Sequence, residues 1–339
     1  MSARVLCFGE LLLRLGAPGR ELLLQSPQLT VHVGGAEANV AVALARLGHA
    51  SAMLSAVPAN ALGAAAVGEL RRHGVDTRAL RSVDHGRMGL YFLESGAGQR
   101  PGSVLYDRAE STFALQSEDR WDFASALAGV EWLHLSGVTP ALGPAAAAAA
   151  QRAVELATAL GVRVSFDGNY RATLWERWDG RPAERLSALI AHAELLFAGP
   201  RDIDLLLGAD TAERDPVAAI QRAAERAFGA YPRIGRMACT IRRTLSVDHH
   251  QLAAVMACAD GRVLQTPSID ILPIVDRIGT GDAFAAGVLH GVLSGVDDQQ
   301  ALDWGLASAC LKHSVPGDLP LASAEDLRAC ALGDYAVRR

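Results

Sequence analysis

Asp282 follows a turn of small residues, Gly279-Thr280-Gly281, and precedes an unbroken apolar run, Ala283-Phe284-Ala285-Ala286-Gly287-Val288-Leu289. Small and apolar residues without a breaker predict a buried helix whose first turn begins at the glycines. A helix start exposes backbone N–H groups and carries partial positive charge. Glycine lets that backbone approach a bulky anion, so the place suits a phosphate. A carboxylate at its edge has two readings: a cap for the helix, or a base held beside a phosphate chain.

Three other stretches carry usable chemistry. Gly34-Gly35-Ala36-Glu37-Ala38-Asn39 enters a helix, where two glycines admit a small ligand to the backbone and Asn39 can bond a hydroxyl as donor or acceptor. The same string could be a tight turn with an Asn at a helix start. Asp167-Gly168-Asn169-Tyr170-Arg171 follows an apolar strand, and Arg171 can clamp a carboxylate or phosphate with two parallel bonds. A solvated loop salt bridge is the alternative. Tyr106-Asp107-Arg108 offers a phenol and a second guanidinium, and Tyr91 on a neighbouring strand could face the same way. Ordinary cross-strand packing would also account for these.

Composition removes several classes. The net charge of −5 gives no basic footprint for nucleic acid or an anionic membrane. No apolar run reaches the roughly 20 residues of a membrane span. Lys312 is the only lysine, and no G-x-x-x-x-G-K-[ST] string occurs, which excludes a P-loop. Five scattered cysteines without a C-x-x-C pair argue against zinc and against a disulfide framework, and for free thiols in a reducing cytoplasm. Glu10 and Arg14 interrupt the first apolar run early, so no signal peptide is expected. No H-E-x-x-H or G-x-S-x-G occurs, and His249-His250 is expected in an exposed polar loop.

These residues need elements to position them. After Trp121 the pattern alternates regularly: strands near Trp132–Leu135, Val162–Phe166, Leu195–Phe197 and Met237–Ile241 are separated by helices near 144–160, 182–192 and 216–228. That predicts an α/β body with a mainly parallel sheet covered on both faces. A hairpin is expected over Leu252–Ala257 and Arg262–Thr266 with Asp260-Gly261 as its turn. Helices near 281–293, 298–313 and 323–332 close the chain. Earlier, Ala36–Leu47 and Gly63–His73 read as helices and Ala50–Val57 as a strand. Short strands, including Glu21–Gln25, recur over residues 11–33 and again over 80–108. A small sheet built by two excursions should lie over the body as a lid. The expected organisation is one domain over residues 1–339, with ligands beyond the carboxyl ends of the strands.

Taken together, Asp276-Arg277-Ile278-Gly279-Thr280-Gly281-Asp282-Ala283-Phe284 and Gly34-Gly35-Ala36-Glu37-Ala38-Asn39-Val40-Ala41 resemble the C-terminal and N-terminal signatures of the ribokinase-like (PfkB) sugar kinases. The resemblance covers nearly the whole chain. Within the family it is most similar to the kinases of 2-keto-3-deoxygluconate, through Tyr91-Phe92-Leu93-Glu94, Tyr106-Asp107-Arg108, Asp167–Arg171 and Leu311–Asp318. It implies a three-layer α/β/α body and ATP-dependent, Mg²⁺-assisted phosphorylation of the C6 hydroxyl. Asp282 would be the base, ionised at neutral pH, and the amides of Ile278–Asp282, with Gly279, Thr280 and Gly281, would hold the phosphate charge. Gly34, Gly35, Asn39, Tyr91, Tyr106, Arg108, Arg171 and Asp318 would hold the sugar acid. Asn169, Arg171, Thr240 and Arg242 would face the nucleotide. Two guanidiniums in substrate loops independently favour an acidic sugar. The alternatives are another PfkB-type kinase, such as a fructokinase or 5-dehydro-2-deoxygluconokinase, and a catalytically silent sugar sensor. Gly199-Pro200-Arg201-Asp202 departs from the family's N-x-x-E, so metal ligands are left unassigned. The exposed lid sheet suggests a homodimer through the lid.

Overall fold

A computed structural model describes residues 4–178, 180–208 and 213–334, so both ends of the expected 1–339 unit fall outside the described residues. The central sheet runs Ala50–Leu54, Arg4–Phe8, Trp132–Ser136, Arg163–Asp167, Leu195–Phe197 and Arg236–Ser246, all neighbours parallel. His249–Cys258, Val263–Gln265 and Ile269–Ile271 extend one edge in antiparallel fashion.

The parallel strands are buried on both faces, as their unbroken apolar sequences require. Leu6 and Phe8 turn to one layer, packed by the helices Pro144–Ala159, Pro182–Ile190 and Pro216–Ala230. Val5 and Cys7 turn to the other, where Ala36–Arg46, Ala61–Arg72, Thr280–Ser294 and Asp298–Lys312 lie. The last two helices form an antiparallel pair whose glycines let them touch. A Cβ on Gly287 would stand 2.5 Å from the Trp304 carbonyl oxygen, and one on Gly291 the same distance from Ala301.

The lid is a separate four-stranded sheet, ordered Thr30–Gly34, Leu12–Gly16, Gly89–Glu94, Ser103–Asp107. Both expected excursions supply it. The second begins later than the sequence suggests, because Arg81–Val83 pairs instead with Ala56–Pro58 in a small sheet of its own. The expected strand Ala50–Val57 accordingly divides at Ser55, whose hydroxyl accepts the Leu11 amide.

Three further expectations are corrected. Glu21–Gln25 forms turns, and Leu22 and Leu24 lie exposed, with no partner strand to bury them. Arg242–Ser246 does not leave the sheet after the expected strand Met237–Ile241: it continues strand Arg236–Ser246 and pairs with His249–Leu252. His250 is therefore buried in that hairpin, and His249 bonds Asp270 at 2.7 Å. Pro200–Leu207 is a helix that the polar start Pro200-Arg201-Asp202 concealed.

Candidate active site

The carboxyl ends of the parallel strands, the start of helix Thr280–Ser294 and the inner face of the lid enclose a cleft of about 380 Å³. Gly35, Asn39, Tyr91, Tyr106, Arg108, Asn169, Arg171, Arg242, Gly279, Thr280, Gly281, Asp282 and Asp318 all line it, so residues up to 283 positions apart share one space. Gly34 and Thr240 are not among the lining residues. Gly34 is needed one layer back, where a Cβ would meet Asp318 Oδ2 at 2.4 Å. Thr240 sits within the strand Arg236–Ser246.

The phosphate end is built by the helix start. Gly279 is its N-cap with φ of +79°, and a Cβ there would strike the Asp318 carbonyl oxygen at 2.1 Å. Glycine is therefore required on both conformational and steric grounds. Helix geometry leaves the amides of Thr280, Gly281 and Asp282 without intrahelical partners. A Cβ on Gly281 would meet nothing within 4 Å, so nothing packs against the Cα of that lining residue. The expected contribution of Ile278 is corrected: its amide is already donated to Asp276 Oδ1 at 3.0 Å. Arg242 closes this end, donating to Thr280 Oγ1 at 3.2 Å, and Arg277 joins it in the lining.

Asp282 does not cap the helix. Its Oδ2 accepts from Asn39 Nδ2 at 2.6 Å, across 243 residues of sequence. Asn39 is held in the first turn of helix Ala36–Arg46, which is pinned by Glu37. The buried Glu37 Oε1 accepts from the Ser136 amide, the Ser136 hydroxyl and the Thr139 hydroxyl. Burial, partly offset by the Asn39 bond, pushes the Asp282 carboxyl up to about 7. The sequence-based expectation of full ionisation at neutral pH is thus corrected. The group sits near the midpoint, which suits a base that must take a proton and later release it.

The opposite wall belongs to the lid. Tyr91 and Tyr106 are directly paired across neighbouring strands, with ring centroids 6.3 Å apart. Tyr91 donates its phenol proton to Asp318 Oδ2 at 2.5 Å. Arg108 is buried, and its Nε donates to Glu10 Oε2 at 2.6 Å. The guanidinium thus already has one carboxylate partner, and only its other edge is left for a ligand. Arg171 is exposed at the cleft margin, close enough to the carboxylates of Asp167, Asp202 and Asp282 to stabilise their charged forms.

Several contributors escaped sequence reasoning. Glu10, Arg14 and Glu37 are charged residues buried to 3% exposure or less. Arg14 was legible only as an interruption of an apolar run, and Glu10 only as that and as the end of the loop after the first strand. Asp167 lines the cleft, and burial together with the Asp282 and Asp202 charges raises its pKa well above the ordinary value. Asp202, by contrast, turns back to accept the Gly199 amide at 2.8 Å. Among the described residues no group of three or more His, Cys, Asp or Glu could hold a metal ion.

A lidded cleft with unpaired helix-start amides at one end, guanidiniums at both and a carboxylate between them defines a phosphotransferase acting on a small hydroxylated acceptor. The chain belongs to the pfkB family of carbohydrate kinases, whose model matches residues 2–233 and 251–323. It is 34% identical to the 2-dehydro-3-deoxygalactonokinase of Haloferax volcanii, each chain covered in full. It is 30% identical to the 2-dehydro-3-deoxygluconokinase of Bacillus subtilis, over 85% of this chain and 82% of that one. The crystal structure of the 2-dehydro-3-deoxygluconokinase of Thermotoga maritima superposes with a TM-score of 0.91 at 36% identity, covering 98% of this chain and 100% of that one.

Proposed function

We propose that this kinase transfers the γ-phosphoryl group of ATP to the terminal C6 hydroxyl of 2-keto-3-deoxygluconate or its C4 epimer. The observation that carries this reading is Asp282, aimed into the cleft between the amides of Thr280–Asp282 and the lid guanidinium of Arg108. The acceptor hydroxyl would lie against Asp282, which takes its proton. The leaving negative charge would be met by the helix-start amides, Arg242 and Arg277. The acid's carboxylate would take the free edge of Arg108, with the Tyr106 phenol beside it. Closure of the lid keeps out water, which competes as phosphoryl acceptor.

Mg²⁺ would arrive with ATP and neutralise phosphate charge. Asp167 fits it best, because its crowding against Asp202 and Asp282 would be relieved by a cation, reached directly or through water.

A coupled ADP-release assay across sugar acids and neutral sugars tests the reading. Arg108→Ala should raise KM for the acid about ten- to a hundredfold, the worth of one charge-assisted hydrogen bond. A neutral ketohexose should change little. Equal losses for both would remove Arg108 as the carboxylate reader, and a wild-type preference for fructose would favour the fructokinase alternative.

A cytoplasmic location fits five free thiols, and no described helix is long and apolar enough to cross a membrane. A homodimer through the lid is supported by the sheet's outer face. There Val31, Leu15, Phe92 and Leu105 form one cross-strand row, with Val31 and Leu105 more than half exposed. Leu105→Glu should shift sedimentation from dimer to monomer. A wild-type monomer at micromolar concentration would end that assignment.

A further inference from the structure

The chain's only lysine is also among its most buried side chains. Lys312 ends helix Asp298–Lys312, which runs back antiparallel along Thr280–Ser294. The glycine contacts between those helices fix its place behind the phosphate-binding turn. Its Cε stands 3.5 Å from where a Cβ on Gly279 would be, so the stem packs on the bare Cα of that N-cap. Nζ donates to the Val315 carbonyl at 2.8 Å. Among the described residues no carboxylate oxygen lies within 4.0 Å of it. The nearby acids are otherwise engaged: Asp276 and Asp318 flank Arg14 at 2.6 and 3.2 Å, and Asp282 is bonded by Asn39.

A buried ammonium without a close ion pair is costly to keep, so its presence calls for a reason. Arginine, used everywhere else in this chain, is a broad planar fork, whereas lysine is a compact point charge that fits behind one glycine. Burial lowers its pKa to about 8, opposed by Asp276 and Asp318, so it remains mostly charged at pH 7.

We propose that Lys312 is a positioning charge for phosphoryl transfer, a fixed cation behind Gly279 that strengthens the anion-binding turn from within the protein without touching the nucleotide. The inference rests on the kinase reading of the cleft. It predicts a contribution specific to phosphate. A charge several ångströms from a bound diphosphate in partly buried surroundings changes affinity on the order of tenfold or more.

The test is calorimetric titration of ADP and of adenosine into wild type, Lys312→Gln and Lys312→Met at low ionic strength. The Gln variant retains a donor for Val315, and the Met variant retains the volume. ADP affinity should fall about tenfold or more in both, with adenosine affinity within twofold and kcat reduced at least as far as ADP affinity. Equal changes for the two ligands, or none, would overturn the proposal and leave Lys312 a packing residue. Should both variants fold poorly, the ADP-to-adenosine affinity ratio is followed from pH 7 to 9.5 in Asp282→Asn, which removes that carboxyl's own titration. Over this range His32, His250 and His313, whose imidazoles burial holds below their ordinary value, stay neutral. The ratio should fall as Lys312 loses its proton, and a flat ratio overturns the proposal. None of these binding measurements needs turnover. Failure to phosphorylate any sugar acid would refute the kinase reading while leaving this contrast readable.

Discussion

Asp282→Asn should lower kcat at least about a hundredfold and at the same time raise the melting temperature at pH 8. The two effects have one cause. Burial lifts the folded-state carboxyl from its ordinary 3.8 to about 7. Between those values the folded protein holds a proton that the unfolded chain releases. The group's contribution to stability is therefore fully present below about pH 4 and is lost as pH rises through 7. A lift from 3.8 to about 7 corresponds to at most ~4 kcal/mol. Asparagine mimics the protonated form, keeps an acceptor for Asn39 Nδ2 and escapes that penalty. Scanning calorimetry at pH 5 and pH 8 should show the variant's advantage growing with pH by several degrees. Wild-type kcat/KM should rise through pH 7 as the base loses its proton, on a limb absent from the variant. Turnover within threefold of wild type would remove Asp282 from the mechanism. A variant less stable than wild type at pH 8 would show that the carboxylate is better solvated than its burial indicates.

Sequence made the scaffold and most of the cleft legible because both rest on local signals. Gly279-Thr280-Gly281-Asp282 announces a helix start, and apolar strands alternating with amphipathic helices announce a covered parallel sheet. The strand Leu195–Phe197 was bounded to the residue, and the Asp260-Gly261 turn lies where the hairpin reverses. What escaped depends on partners distant in sequence. Nothing local extends the strand expected to end at Ile241 through the polar Arg242-Arg243-Thr244 until His250–Leu252 is laid beside it. Leu22 and Leu24 read as a strand because alternation cannot show that no neighbour is available. The same holds for charges. Nothing local tells that Arg108 is already engaged by Glu10, 98 positions earlier, or that Asn39 is committed to Asp282. The pKa of Asp282 was out of reach for the same reason, since desolvation is a property of the assembled cleft.

Arg14 shows how much such a hidden partner can matter, and Arg14→Met should be the most destabilising single change in the lid. Arg14 lies in lid strand Leu12–Gly16, with only 3% of its side chain exposed. Its Nη2 donates to Asp276 Oδ2 at 2.6 Å, and its Nε lies 3.2 Å from Asp318 Oδ1. Asp276 in turn accepts the amides of Ile278 and Gly317, both at 3.0 Å, and Asp318 accepts the Tyr91 phenol. One guanidinium thus ties the lid to the turn that shapes the phosphate end. Methionine would preserve most of the volume but leave two buried carboxylates uncompensated, an arrangement that costs about 3–5 kcal/mol. That is a large share of a total stability of roughly 5–15 kcal/mol. The exposed lid tether, Arg20 with Asp248, has similarly short contacts, yet both partners are more than 40% exposed. Screening and side-chain entropy limit such a pair to at most about 1 kcal/mol. Urea unfolding should therefore show a large fall in midpoint for Arg14→Met and almost none for Arg20→Met, with the m-value unchanged in both. Only the Arg20 contribution should fade in molar salt. An Arg14→Met protein within about 1 kcal/mol of wild type would mean that water reaches Asp276 and Asp318 once the arginine is gone. The lid would then be held by its sheet pairing with no ionic tether.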